Sequence, residues 1–371
     1  MSEKPLRVYY IDNLRVLLIC LVVLVHVAIT YGAGGDWYYR DPQTSKLATL
    51  VLTVFVATTQ AFYMGFFFMV AAYFTPTSLA RKGLKRFLGD RFLRLGIPLL
   101  FYMLVLNPVV MAIVYLNRFE GSSVELILQH YRSMLSIGPM WFVLNLLLLT
   151  LAFVFVKGFR RMEVRAGTEA GPSLQATIMV SIALGVTSFL VRIHYPIGYW
   201  IPGLHLMPAY APQYLAFFAV GILAGEWGWR GDLSPRLVRY WRLATPLAIV
   251  GAFAWFGVNQ PIDLSYPGGL NWRSFVHAMC EQTFAVGIIV LLLNWFGKRF
   301  NQHSSFLEAA AADSYTVYII HPLVLVMLAL CIQGYVLHPL AKFALVAPVA
   351  LAACFGSAHL TRKLPFARRI L

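Results

Sequence analysis

The sequence predicts an all-α integral membrane protein, a bundle of about ten transmembrane helices with both termini cytoplasmic, and three observations predict it. The first is composition: 371 residues, 60% hydrophobic and 12% charged with a mean hydropathy of +0.70, leave too little polar surface to cover a water-soluble globule. The second is the set of apolar runs. A span needs about 20 apolar residues to cross about 30 Å of hydrocarbon, and ten such runs stand near residues 14–32, 49–74, 95–117, 139–156, 175–191, 209–226, 243–258, 275–296, 311–332 and 338–359. The third is the placement of basic residues, which gather in cytoplasmic loops. With the N-terminus inside, only Arg40, Lys46, Arg118, Arg132, Arg192, Arg273 and Lys342 of the 30 Lys and Arg fall outside.

Each element follows from these. The runs are continuously apolar rather than alternating, which selects helices over a closed barrel. The first run is long and is followed by no small-residue cleavage site, so it reads as an uncleaved anchor. The longest polar gap, about residues 157–174, is far too short for a soluble domain, so residues 1–371 read as one membrane domain. The net charge of +15 is explained by topology and anionic lipid, which gives no reason to invoke nucleic acid. Cys20, Cys280, Cys331 and Cys354 all lie in apolar runs without CxxC spacing, which predicts packing residues and neither disulfides nor a metal site.

Chemistry is sought among the polar residues that the spans tolerate, since a charge near the bilayer centre costs about 2.5 kcal/mol or more. In span 1, Arg15 and His26 are eleven residues apart; at about 100° and 1.5 Å per residue they share one face about 16 Å apart. Anchoring and packing would explain them, and so would a neutral imidazole acting as general base. In ARKGLKRFLGDRFLRLGIP, Arg91 and Arg94 at i and i+3 share a face at the mouth of span 3. Positive-inside bias accounts for them, and so would two guanidiniums receiving a phosphate-bearing molecule such as coenzyme A. In ADSYTVYIIHPL, Ser314, Tyr318 and His321 stand at i, i+4 and i+7, a candidate polar strip that Pro322 loosens; interfacial anchoring is the plainer reading of the tyrosines. Glu281 in span 8 is an intramembrane carboxylate, a residue commonly paired with His or Arg. Glycine-rich phosphate loops, HExxH and GxSxG are absent from the sequence. Acyl transfer and proton-coupled carriage of a glycan both remain open on these residues alone.

The same residues resemble the membrane acyltransferase 3 family, and within it the bacterial glucan-biosynthesis type, over nearly the whole chain. An Asp, then an Arg, ten residues and a His are matched by Asp12, Arg15 and His26, and the family's RxxR by Arg91 and Arg94. GPMWFVLNLL with Trp141, APQYLAFFAVGILAG, Glu281 and SYTVYIIHP follow in the family's order. The resemblance implies an O-acyltransferase that moves an acyl group, acetyl or succinyl, from acyl-CoA (acetyl-CoA or succinyl-CoA as co-substrate) to a hydroxyl of a glycan or related envelope acceptor. It implies no tightly bound cofactor, and a place in the bacterial plasma membrane. On this chain it makes His26 the base, Arg15 its electrostatic partner, Glu281 a further catalytic residue and Arg91 and Arg94 donor-binding residues, with Asp12, Trp141, Ser314, Tyr315, Tyr318 and His321 as substrate-binding residues around the site. A homo-oligomer or an envelope-glycan biosynthesis protein would be its macromolecular partner. One departure is Ala72 in FFFMVAAYF, where the family commonly has Gly, so that an added methyl enters a close helix crossing. The aromatic residues outside the spans, among them Trp37, Tyr38, Tyr39, Tyr195, Tyr199, Trp200 and Trp272, suit either sugar stacking or an interfacial belt.

Overall fold

The computed structural model describes residues 8–118, 124–158, 171–201, 206–229, 231–258 and 268–370. In chain order its α-helices are α1 (Tyr9–Thr30), α2 (Lys46–Gln60), α3 (Tyr63–Tyr73), α4 (Thr75–Lys82), α5 (Leu84–Arg91), α6 (Ile97–Phe101), α7 (Asn107–Arg118), α8 (Val124–Gln129) and α9 (Trp141–Gly158). They continue as α10 (Leu174–His194), α11 (Ala211–Glu226), α12 (Pro235–Val258), α13 (Trp272–Arg299), α14 (Ser305–Cys331), α15 (Pro339–Lys363) and α16 (Ala367–Ile370). The β structure among the described residues is one isolated bridge, Ile201 with Leu206. Long apolar runs propagate these helices, and caps begin them: Ser173, Asn271 and Ser304 accept from the backbone N–H three residues on. Basic residues close the last turns of α10, α13 and α15, where the helix dipole favours them.

Among the described residues, eight helical stretches are long and apolar enough to cross a bilayer: α1, Lys46–Lys82, Leu84–Arg118, Gly138–Lys157, α10, α13, α14 and α15. Ten were expected, and these eight are the ones that meet the length and composition of a span among the described residues. The sixth and seventh expected runs do form helices, but α11 has 16 residues, about 24 Å at 1.5 Å each and short of the hydrocarbon thickness. α12 has the length, with 24 residues, but Arg236, Arg239 and Arg242 occupy its first turns. Of the basic residues used to orient the chain, Lys4, Arg7, Arg160, Arg161, Arg165 and Arg230 lie outside the described residues, as does most of the 157–174 gap.

Polarity is arranged as a lipid solvent demands. Phe155, Met179, Leu247, Val250 and Leu345 are exposed on helix surfaces, whereas Arg192, Gln213, Gln282, His321 and Lys342 are fully buried. Together with the eight apolar helices, this makes the chain a polytopic membrane protein.

The chain falls into two compact units. The first comprises Met1–Leu14, Gln60–Phe87 and Leu148–His303, and the second Arg15–Thr59, Leu88–Leu147 and Ser304–Leu371. In the first, α3 packs on α11, and α10 and α12 both pack on α13. The α3–α11 crossing is close because α11 presents glycines: a Cβ at Gly221 would strike the Met69 carbonyl and come 2.8 Å from the Ala72 Cβ, and one at Gly225 would strike the Tyr73 carbonyl. The Ala72 methyl that departs from the family pattern is thus accommodated by a glycine on the facing helix. In the second unit α14 packs on α15 and α7, with Val110, Val114 and Val326 at the centre of the α7–α14 contact.

Gly221→Leu is expected to destabilise the protein by about 3 kcal/mol or more through overpacking against backbone. Gly297→Leu, at a position with nothing within 4 Å of the added carbon, should be neutral. Thermal aggregation of purified protein in detergent separates the two; equal stability of both variants would refute the close crossing.

Candidate active site

The second unit holds most of the predicted site residues. α1 is one continuous helix, so Arg15 and His26 share the face that the spacing predicts. Beyond its end, residues 31–45 turn back so that Trp37 stacks on the His26 ring, with centroids 3.9 Å apart and 22° between planes. Several bonds pin this loop. The Asp41 N–H donates to the Thr30 carbonyl (2.9 Å) and the Gly34 N–H to Thr53 Oγ1 (2.9 Å). Arg40 Nη2 donates to the Ala33 carbonyl (2.8 Å), and Gln43 Nε2 to the Tyr335 carbonyl (3.2 Å). The strongest tie is the ion pair of Asp41 Oδ2 with Lys342 Nζ on α15, 2.6 Å long, with side chains 1% and 0% exposed. A carboxylate and an ammonium so buried are each stable only in the other's presence.

The stretch from α5 to α7 contains two π turns, Phe92–Gly96 and Tyr102–Leu106. Each is followed, two residues on, by a proline, Pro98 and Pro108. A proline inside a helix has no N–H to give and its ring crowds the preceding turn; a widened turn relieves that crowding. In the second π turn the Asn107 N–H bonds to the Tyr102 carbonyl, i to i+5, which brings both side chains to one place. There they hold Tyr38. The Tyr38 hydroxyl donates to Asn107 Oδ1 and accepts from the Tyr102 hydroxyl (2.7 Å), and Asn107 Nδ2 donates to the Met134 carbonyl (2.6 Å). Burial pushes the Tyr38 phenol up to about 12, so it stays protonated and remains a donor at every physiological pH.

α14 supplies the third wall. Pro322 deprives the Tyr318 carbonyl of its i+4 donor, and His321 Nδ1 takes that place at 2.7 Å. Because the acceptor is a carbonyl, Nδ1 carries the proton and Nε2 the lone pair. Tyr315 donates its hydroxyl to the Arg94 carbonyl (2.8 Å), the group that Pro98 leaves without an i+4 donor. Tyr318 donates to the Pro139 carbonyl and packs edge-on to Phe142, 5.9 Å between centroids. The neighbouring Gly138 has φ +42°, and a Cβ there would strike the Tyr38 hydroxyl. The segment Gly138–Trp141 is therefore shaped by its contacts with Tyr38 and Tyr318. The Ser314 hydroxyl turns back onto its own helix, donating to the Ala310 carbonyl (2.9 Å), so the predicted strip from Ser314 to Tyr318 is not a continuous polar surface.

His26, Trp37 and His321 form one cluster: His26 and His321 have ring centroids 5.0 Å apart at 28°, and Trp37 and His321 5.8 Å apart at 16°. Among the described residues, His26 Nδ1, Trp37 Nε1 and His321 Nε2 are buried with no hydrogen-bond partner. Three such atoms around one cluster leave polar capacity there that a ligand or water could satisfy. Arg91 ends α5 and Arg94 lies in the first π turn, with Arg94 exposed. Trp141 opens α9, its ring edge-on to Phe142.

Two predicted site residues belong to the first unit. Asp12 is in the first turn of α1. Glu281 is buried on α13, where Oε2 pairs with Arg192 Nη2 of α10 at 2.5 Å and accepts from Gln282 Nε2 (3.2 Å). Gln213 Nε2 extends the network, donating to Gln282 Oε1 (2.9 Å) and to the Ala61 carbonyl (2.7 Å). Arg192, assigned to a loop by its charge, is instead fully buried in the last turn of α10. An apolar cleft of about 470 Å³ in this unit, bordered by Val191, Tyr195, Pro208 and Leu215, is lined by none of the candidate site residues.

A helical membrane protein with two facing imidazoles capped by an indole is equipped to move a proton in an apolar setting. Residues 8–359 match the acyltransferase 3 family, described as "Acyltransferase domain", and the chain belongs to that family: it is a membrane acyltransferase. It is similar to proteins called "Glucans biosynthesis protein C" from Salmonella heidelberg (strain SL476), Salmonella schwarzengrund (strain CVM19633) and Salmonella dublin. Each is 25% identical over 332 residues, covering 86% of this chain and 83% of the relative. No solved structure gives a significant match.

Lys342→Met leaves Asp41 buried without its counter-ion and is expected to destabilise the protein by about 3–5 kcal/mol, while Asp41→Leu with Lys342→Met recovers most of the loss. Thermal unfolding combined with limited proteolysis of the 31–45 loop reads both; a single variant as stable as the parent would remove the clamp's structural role.

Proposed function

We propose that this membrane acyltransferase transfers an acetyl or succinyl group from acyl-CoA to a hydroxyl of an envelope glycan, with His26 as the general base, in the plasma membrane of a bacterium. Both termini are cytoplasmic in this reading, and α11 and α12 complete ten membrane-associated helices. The observation that carries it is the setting of His26: an imidazole held in an apolar span under Trp37 and beside His321, in a chain of an acyltransferase family.

Neutral His26 takes the proton of the acceptor hydroxyl as its oxygen attacks the thioester carbonyl. The tetrahedral oxyanion collapses, the C–S bond breaks, and the coenzyme A thiolate leaves with the proton that His26 returns. Arg15, on the same face of α1, supplies positive charge along the route. Arg91 and Arg94 receive the donor's phosphates, for which forked, permanently charged guanidiniums are suited. Tyr315 and Tyr318 frame the site from α14, their hydroxyls tied to the Arg94 and Pro139 carbonyls.

Two experiments test this. Membranes carrying the parent chain should move label from radiolabelled acetyl-CoA or succinyl-CoA to envelope glycan, and His26→Ala at matched expression should lower transfer by about 100-fold or more; unlabelled glycan with both donors would favour a carrier role instead. Arg91→Ala with Arg94→Ala should raise the donor KM about 10-fold or more, as expected for lost charge-assisted bonds, with a smaller change in kcat. A donor KM that does not move would remove these arginines from donor binding.

A further inference from the structure

The proton chemistry assigned to His26 leaves its own orientation unexplained. A histidine base works when its second nitrogen is held by a partner that fixes ring and tautomer. His26 Nδ1 is buried and makes no hydrogen bond of ordinary geometry; the ring's one backbone interaction is with the Val22 carbonyl, one turn back on α1. The neighbouring His321 is fully buried, and its protonation is set by covalent structure: Pro322 has no N–H, the Tyr318 carbonyl is left open, and Nδ1–H of His321 fills it. Nε2 of His321 is then necessarily an acceptor, and it too is buried and unpartnered. The two ring centres are 5.0 Å apart in a stacked arrangement, with planes 28° from parallel, and no hydrogen bond joins them in this structure. The Trp37 ring lies against His26 at 3.9 Å, which limits its tilt.

We propose that His321 is the positioning residue for His26: its Nε2 accepts the Nδ1–H of His26 and so holds His26 in the tautomer whose Nε2 lone pair faces the acceptor hydroxyl. The bond is open in this structure, and because the Tyr318 carbonyl holds His321, closing it requires the His26 ring to turn beneath Trp37. The order of donors runs from His26 Nδ1–H to His321 Nε2, and from His321 Nδ1–H to the Tyr318 carbonyl. When His26 takes the acceptor's proton it becomes an imidazolium, and His321, neutral throughout, stabilises that charge by accepting from it. The proton returns from His26 Nε2 to the departing thiolate, so His321 exchanges none. The other titratable group beside His321 is Tyr318, with ring centroids 5.9 Å apart and its hydroxyl engaged by the Pro139 carbonyl.

This inference rests on the reading of His26 as the base, and its test is chosen to fail separately. Full-length protein in nanodiscs, labelled with 15N-histidine, reports the tautomer of each ring, with His26→Ala and His321→Leu assigning the signals. His26 is expected as the Nδ1–H tautomer in the parent, changing to a mixture in His321→Leu. The kcat of that variant should fall about 100-fold or more, as for a mispositioned base, with donor and acceptor KM within threefold, and His321→Gln, which retains an accepting oxygen, should recover part of the loss. His26 found as Nε2–H in the parent overturns the proposal even if His321→Leu does not fold, and so does a His26 tautomer that is the same in both proteins. Full activity of His26→Ala would instead sink the base assignment while the tautomer measurement still decides the pairing.

Discussion

Inside a bilayer a backbone carbonyl that loses its helical partner must find another, because no water replaces it. Pro98, Pro108 and Pro322 create that need, and a side chain answers each. Pro98 bares the Arg94 carbonyl and Tyr315 donates to it; Pro108 bares that of Leu104 and Tyr131 donates to it; Pro322 bares that of Tyr318 and His321 donates to it. An unmet carbonyl in hydrocarbon costs several kcal/mol, so these contacts hold Tyr315 and His321 in fixed poses. The orientation of two site residues therefore follows from helix defects rather than from helix faces.

The charged groups obey a related rule. Arg192 with Glu281, and Lys342 with Asp41, are ion pairs whose members are almost wholly buried. Such a pair contributes little net stability over an apolar pair of the same volume, yet breaking it is costly. Its structural value is registry: each charge is acceptable in one arrangement only. In the second unit that arrangement holds the loop bearing Trp37 and Tyr38 against α1.

Much of this was legible in the sequence. Long apolar runs and the distribution of Lys and Arg define a helical membrane protein, and eleven-residue spacing places Arg15 and His26 on one face because α1 is uninterrupted. Spacing failed where the helix is irregular or a side chain bonds locally. Ser314 has the right period for a polar strip, but a serine in a helix can donate to its own i−4 carbonyl, and it does. Trp37, grouped with possible sugar platforms, gives one ring face to His26. Tyr102 and Asn107, five residues apart, would diverge on an α-helix and meet only across a π turn; Pro98 and Pro108 were the available signal for such a distortion. Arg192 was assigned by charge to a loop because sequence does not reveal that Glu281 neutralises it. The ten-span count relied on runs as short as α11, which hydrophobicity finds but which, at 16 residues, falls short of the hydrocarbon thickness.

The Asp41–Lys342 pair joins residues 301 positions apart, and that separation has a temporal side. Chains are made and inserted from the N-terminus, so α1 and the loop carrying Trp37 exist long before His321 and Lys342 emerge. Through most of synthesis Asp41 has no counter-ion and His26 has no facing imidazole. Nascent or prematurely terminated chains ending before residue 342 thus hold His26 in an unfinished setting, with the Asp41 carboxylate unpaired. The second unit is completed late, when α14 and α15 pack on what was laid down first.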